Sequence, residues 1–178
     1  MKTVDLPLKG VKLLSLPAFF DERGFFKEMY HELHYPILGL AEKFVQDNYS
    51  FSHHRVLRGM HFQSPSHQAK LISVLQGKIF DVFVDLRTDS PTFGQWQGLY
   101  LDSTLHEQLF IPGGFAHGFC VVCKEGAHVH YKVTSLYNPV QEKRFRYDDP
   151  TLQIEWPISD PIVSSQDRKA PSFIEVLQ

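Results

Sequence analysis

Leu71-Ile72-Ser73-Val74-Leu75 and Ile79-Phe80-Asp81-Val82-Phe83-Val84-Asp85-Leu86, parted by Gln76-Gly77-Lys78, are two β-rich runs about a turn signal, and they set the class of fold. Runs this short, bounded by glycine and rich in branched and aromatic residues, read as strands rather than helix. Towards the C-terminus residues 98–101, 108–111, 117–122 and 129–133 repeat the pattern, separated by turn-forming stretches at 88–94, 102–106, 112–114 and 124–126. Many short strands at near-regular spacing, with almost no helical period, predict an antiparallel sandwich or barrel. Towards the N-terminus, residues 11–16 read as a strand ending at Pro17, and Asp21-Glu22-Arg23-Gly24 is turn chemistry between Phe19-Phe20 and Phe25-Phe26. A short helix over 39–44 is expected. The stretch 148–178, with four prolines, reads as an extended appendage closed by a short helix.

A length of 178 residues without repeat, linker or low-complexity segment predicts one domain over 1–178. The formal net charge of -2 provides no broad field for nucleic acid or anionic lipid, so a bound phosphate must be held by a local cluster. No window is apolar enough for a membrane span, and residues 1–10, carrying Lys2, Asp5 and Lys9, read as neither signal peptide nor anchor. Cys120 and Cys123 make no disulfide framework. A reducing cytoplasm is the expected setting.

The chemistry centres on Arg55-Val56-Leu57-Arg58-Gly59-Met60-His61-Phe62-Gln63. In a regular strand Arg58 and Met60 face one way and Gly59, His61 and Gln63 the other. Arg58 and His61 then meet one ligand only if the alternation is broken, and Gly59 predicts a bulge that breaks it. A strand histidine by itself is more often structural than catalytic.

Ile111-Pro112-Gly113-Gly114-Phe115-Ala116-His117-Gly118 is a tight turn delivering a histidine onto the next strand. Its Pro-x-Gly-x-x-His spacing resembles the second half-motif of the cupin superfamily, a double-stranded β-helix of jelly-roll type in which that histidine is often a metal ligand. The first half-motif, two histidines one residue apart followed by a glutamate, is not found near His61. His128 and His130 have the spacing but follow the second half-motif. Cys120 and Cys123 lie three apart, on opposite faces of a strand, and read as packed thiols. Gln46-Asp47-Asn48 offers amides and a carboxylate suited to a polar ligand.

Nine stretches together resemble the dTDP-4-dehydrorhamnose 3,5-epimerase family: Arg23-Gly24-Phe25-Phe26, Gln46-Asp47-Asn48, the run 56–63, Gln68-Ala69-Lys70-Leu71, the run 81–87, Ser90-Pro91-Thr92-Phe93-Gly94, the run 111–119, Tyr131-Lys132 and Ile154-Glu155-Trp156-Pro157. They occur in order and at the family's spacing over nearly the whole chain. The resemblance implies an all-β, cupin-like jelly roll, a homodimer, and epimerisation of a deoxysugar nucleotide without metal or other cofactor. It also implies roles: His61 as general base, Tyr131 as general acid, Asp167 as the carboxylate paired with the base. Arg23, Phe26, Glu28, Gln46, Asp47, Asn48, Arg58, His117 and Glu142 match substrate-contacting positions, and Tyr137 the ring that stacks on the nucleotide base. The resemblance also leaves open that Arg23 and Glu28 complete a neighbouring copy's pocket.

These roles suit the chemistry. Epimerising a carbon beside a ketone requires a base, a stabilised enolate and an acid on the opposite face. An unperturbed imidazole, with a pKa of about 6.5, is available as a base near neutral pH, and a carboxylate on its other nitrogen fixes the tautomer. Lys70 is the candidate for charge stabilisation at the C4 oxygen.

The chain departs from the family pattern in places. Gln166 stands where a lysine is usual, Arg144-Phe145-Arg146-Tyr147-Asp148-Asp149-Pro150 replaces Gly-Ile-x-Trp-x-Asp-Pro, and Leu136 replaces an aromatic residue. The departures touch the substrate envelope rather than the acid–base pair. They leave open epimerisation at C3 alone or another 4-keto sugar nucleotide such as a GDP-linked deoxyheptose. A separate alternative is a metal-dependent cupin isomerase or oxygenase built around His117 with His61.

Overall fold

The computed structural model describes residues 1–40 and 42–177. Among these residues fourteen strands follow in chain order: β1 (Lys2–Asp5), β2 (Lys12–Ser15), β3 (Ala18–Asp21), β4 (Gly24–Lys27), β5 (Gln46–Ser52), β6 (Val56–Gln63), β7 (Lys70–Gln76), β8 (Lys78–Asp85), β9 (Trp96–Asp102), β10 (Glu107–Ile111), β11 (Phe115–Val121), β12 (Ala127–Val133), β13 (Glu142–Arg144) and β14 (Ile162–Val163). Two single-turn helices, α1 (Ser165–Arg168) and α2 (Phe173–Val176), close the chain.

Two sheets face one another. The first has the order β1-β2-β10-β7-β12-β5 and the second β13-β6-β11-β8-β9, with β14 pairing β6 in parallel. From β5 to β12 the chain alternates between the sheets, except that β8 and β9 form a hairpin. This is the jelly-roll arrangement that the family resemblance implies, and it is one form of the antiparallel sandwich expected from the strand spacing. The β3–β4 hairpin stands apart from both sheets.

The apolar continuity of β8 has a physical reason, because both faces of its sheet are covered. Ile79 and Phe83 point between the sheets with Ile72, Leu109 and Val129. Val82 and Val84 point outward, under Leu152, Ile154 and Phe173 of the C-terminal segment. The tail expected as an appendage is therefore a wall of the second core, and buried Asp149 ties it by accepting from the backbone N–H groups of Thr151 at 2.9 Å and Phe173 at 2.8 Å. A third cluster, with Tyr35 and Leu40 against Leu14, Leu71 and Phe110, covers the back of the first sheet.

The helix expected over 39–44 includes Ala41, which lies outside the described residues. Its neighbours do not support it: a 3-10 turn occupies Pro36–Leu38, Gly39 ends that turn in the left-handed region, and residues 42–44 carry no helix. The Asp21–Gly24 turn forms as read, with Asp21 accepting from the Arg23 backbone N–H at 2.9 Å. Both cysteines are free thiols, Cys120 buried and Cys123 half-buried.

Candidate active site

Between the sheets the apolar filling gives way to polar side chains at one end. Along β12 the inward positions run Ala127, Val129, then Tyr131; along β7, Val74, Ile72, then Lys70; along β11, Val121, Phe119, then His117. The polar end opens into a cavity of about 250 Å³ lined by Ser50, Arg58, His61, Lys70, His117, Phe119 and Tyr131. Towards the surface it continues past Gln46, Asn48, Gln63, Gln68, Tyr137 and Glu142.

The bulge is present. On β6, His61 lies opposite His117 and Arg58 opposite Phe119, so Gly59 and Met60 together face Gly118 alone. The extra residue turns Arg58 and His61 to the same side, and sends Met60 outward into the second core. Gly59 has φ +133°, and a Cβ there would lie 2.6 Å from the Gly118 Cα. Glycine is what permits this close crossing.

His61 comes from the second sheet and Tyr131 from the first, so the cavity lies between an imidazole and a phenol. His61 Nε2 is 2.7 Å from Asp167 Oδ1. Asp167 is buried in α1, whose cap Ser164 accepts from the Asp167 backbone N–H at 3.0 Å. Burial pushes the Asp167 carboxyl up, but the hydrogen bond and charge of His61, with Ser164 and Arg144, hold it below the usual carboxylate range. Burial raises the Tyr131 phenol; the Glu142 charge adds to this and Arg58 opposes it. The phenol therefore keeps its proton through neutral pH.

Lys70 is buried, and burial pulls its ammonium down to about 8 against the opposing charges of Asp81 and Glu142. Nearby, His117 Nε2 is 2.9 Å from Asp81 Oδ2, both side chains buried. Burial drives the Asp81 carboxyl up and the His117 imidazole down, each only partly offset by the other's charge. Arg58 reaches the cavity with Nε donating to Ser52 Oγ at 2.9 Å and Nη2 to the Phe51 carbonyl at 3.3 Å. Both acceptors are neutral, so neither bond neutralises its positive charge.

Metal donors are placed as follows. His61 and His117 each direct Nε2 at a carboxylate, while His128 and His130 point outward, His130 Nε2 lying 2.9 Å from Asp47. Among the described residues, one group, Glu28, His31 and His34, brings three donor atoms within 4.8 Å of one another. It lies on the surface segment after β4, outside the cavity lined by His61.

A family model described as dTDP-4-dehydrorhamnose 3,5-epimerase matches residues 5–175. The chain belongs to the dTDP-4-dehydrorhamnose 3,5-epimerase family. The family's enzyme from Pseudomonas aeruginosa is 44% identical over 177 residues, covering 98% of this chain and 97% of that one. The crystal structure of the Bacillus anthracis enzyme, with TDP and PPi bound, superposes with a TM-score of 0.93 at 44% identity, covering 97% of this chain and 99% of that one. A Legionella pneumophila dTDP-6-deoxy-D-glucose-3,5-epimerase in complex with dTDP-4-keto-L-rhamnose gives 0.91 at 43% identity, covering 96% and 92%.

Of the positions matched to this epimerase family, His61, Tyr131, Lys70, Gln46, Asn48, Arg58, His117, Tyr137 and Glu142 line the cavity or its mouth, and Asp167 backs His61. Four do not. Asp47 alternates with Gln46 and Asn48 along β5, so it faces outward, where Lys132 Nζ donates to it at 2.7 Å. Arg23 and Phe26 line a separate hollow on the β3–β4 hairpin, and Glu28 follows them with its carboxylate 3.0 Å from His34 Nδ1. Asp81 was missed by the sequence reading, although a carboxylate interrupting an apolar strand was a signal for it. Gln63, sharing His61's parity on β6, and Gln68, in one of the family-like stretches, were equally legible. Arg144 carried no such signal.

Proposed function

We propose that this protein epimerises the sugar of dTDP-4-dehydro-6-deoxyglucose at C3 and C5, giving dTDP-4-dehydrorhamnose. The observation that carries this reading is the placement of His61, backed by buried Asp167, and of Tyr131 on opposite sheets around one cavity.

The steps follow from the groups present. His61 removes the proton beside the C4 ketone, and Asp167, held ionised, stabilises the imidazolium that forms. Negative charge develops on the C4 oxygen, where Lys70 supplies a buried cation whose field is little screened. Tyr131, still protonated, returns a proton from the other side. Tyr137 is exposed at the mouth with its OH donating to Glu142 at 3.3 Å; in this reading it stacks on the base and Arg58 holds the diphosphate.

The same proposal includes a homodimer. Phe19, Phe20, Phe25 and Phe26 on the hairpin are 54 to 70% exposed, an apolar surface that a second copy would cover, and Arg23 and Glu28 would then reach the neighbour's cavity. A cytoplasmic setting fits the two free thiols. Among the described residues no helix is long and apolar enough to cross a membrane.

The test is turnover of dTDP-, UDP- and GDP-linked 4-keto sugars with NMR identification of each product. Inversion at C3 and C5 of the dTDP-6-deoxyhexose is expected. Inversion at C3 alone, or turnover confined to a GDP-linked sugar, would replace the reading. Sedimentation giving a monomer would remove the dimer.

A further inference from the structure

Three acceptors converge on one guanidinium at the cavity mouth. Arg144 Nη1 donates to Gln166 Oε1 at 2.8 Å and to Asp167 Oδ1 at 3.2 Å, while Nη2 donates to Glu142 Oε2 at 2.7 Å. The Asp167 oxygen is the one that bonds His61. Arg144 pairs with His61 across the β13–β6 register, and its side chain is 24% exposed.

Asp167 needs such an anchor. It sits on a single-turn helix in an irregular tail, and one turn has no stability of its own. The Ser164 cap fixes the helix start, and β14 fixes the approach by pairing with Val56 and Leu57. Neither holds the carboxylate against β13. Arg144 does, and its planar fork reaches acceptors on both sides as a point charge could not. A lysine at 166 would set a second cation where the amide oxygen now accepts.

We propose that Arg144 is a positioning residue that ties Asp167 and Glu142 into one rim beside His61, and that a neutral acceptor at 166 is the condition for arginine at 144. Its effect on turnover rests on the epimerase reading above; its effect on the His61–Asp167 bond does not.

The test compares the full-length wild-type protein with Arg144→Gly, Arg144→Lys, Gln166→Lys and the double variant Arg144→Gly/Gln166→Lys. The first readout is the NMR resonance of the His61 imidazole N–H bonded to Asp167, identified by its absence in His61→Asn. It is expected in the wild type and lost to solvent exchange in Arg144→Gly. The second is kinetic: Arg144→Gly should lower kcat about tenfold through the loosened Asp167 tie, and raise KM through the freed Glu142 beside Tyr137. Arg144→Lys, which keeps charge and stem, should lose as much. Gln166→Lys should also lose activity by setting a second cation against the guanidinium, and the double variant should lose no more than Arg144→Gly alone, because that repulsion needs both charges. Retention of the His61 resonance in Arg144→Gly, full kcat in Arg144→Lys, or a double variant whose loss is the product of the single losses would each overturn the proposal. A wild type that epimerises nothing would sink the epimerase reading alone, because the resonance still decides the tie.

Discussion

Replacing Gly59 with alanine strikes the feature that aims His61 into the cavity. The residue sits at φ +133°, where an L-side chain is strained, and its new methyl would stand 2.6 Å from the Gly118 Cα and 3.1 Å from the His117 carbonyl oxygen. Both obstacles are backbone, so no side chain can swing aside. The conformational penalty alone is about 1–3 kcal/mol. With the clash added, a loss of about 3–4 kcal/mol is expected, or about 10 °C in Tm for a chain of this length. Relief requires β6 to part from β11 beside His61, and a displacement of about 1 Å at a reacting group lowers turnover about 100-fold. Scanning calorimetry and initial rates on the dTDP-4-keto sugar read both effects. Gly94 is a built-in control: it has φ +75° but only an ordinary contact at its Cβ position, Phe173 at 3.8 Å, so Gly94→Ala should lose no more than the conformational part. A Gly59→Ala protein with wild-type Tm and kcat/KM would refute the reasoning about the bulge.

Asp167→Asn should reduce kcat by about 10²- to 10⁴-fold by losing the ionised partner of His61, with dTDP affinity little changed in calorimetric titration; a purely weakened affinity would count against the dyad. Lys70, brought down to about 8 by burial, is cationic below that pH and neutral above it, so kcat should fall on an alkaline limb near pH 8. Lys70→Met should abolish that limb and reduce kcat about 100-fold, as loss of an oxyanion donor does; an unchanged limb would assign it to another group. Burial pushes the Asp85 carboxyl up, but hydrogen bonds from Arg87, Ser90 and Thr92 more than reverse this and hold it well below the usual range. The unfolded chain therefore takes up the proton first, so this stabilisation is complete above about pH 4 and fades as pH falls further. Asp85→Asn should lose about 3 kcal/mol at pH 7 and progressively less below pH 4, by thermal unfolding; a constant deficit across pH would contradict the pairing.

The strands from β7 to β12 were legible because each buries at least one face and is short, branched and bounded by turn residues. The bulge was legible too, since Arg58 and His61 lie on opposite faces of any regular strand and a glycine sits between them. The tail was not. Leu152, Ile154 and Phe173 close the second core from irregular segments, and a core residue outside a helix or strand has no period to betray it. Asp47 was grouped with Gln46 and Asn48 as a cluster, when alternation along β5 would have set it on the outer face. Arg144 read only as part of a departure from the family pattern, because its acceptors at 166 and 167 are brought to it by the fold.

The position of solvent hydrogen in the product tests the central claim most directly. After turnover of the dTDP-4-keto-6-deoxy sugar in deuterated water, NMR should show deuterium at both C3 and C5 with the wild-type protein and at neither with His61→Asn. Tyr131→Phe should still exchange those hydrogens but fail to invert both centres. Exchange at the wild-type rate in His61→Asn, or normal product from Tyr131→Phe, would contradict an imidazole and a phenol working from opposite sides of the sugar.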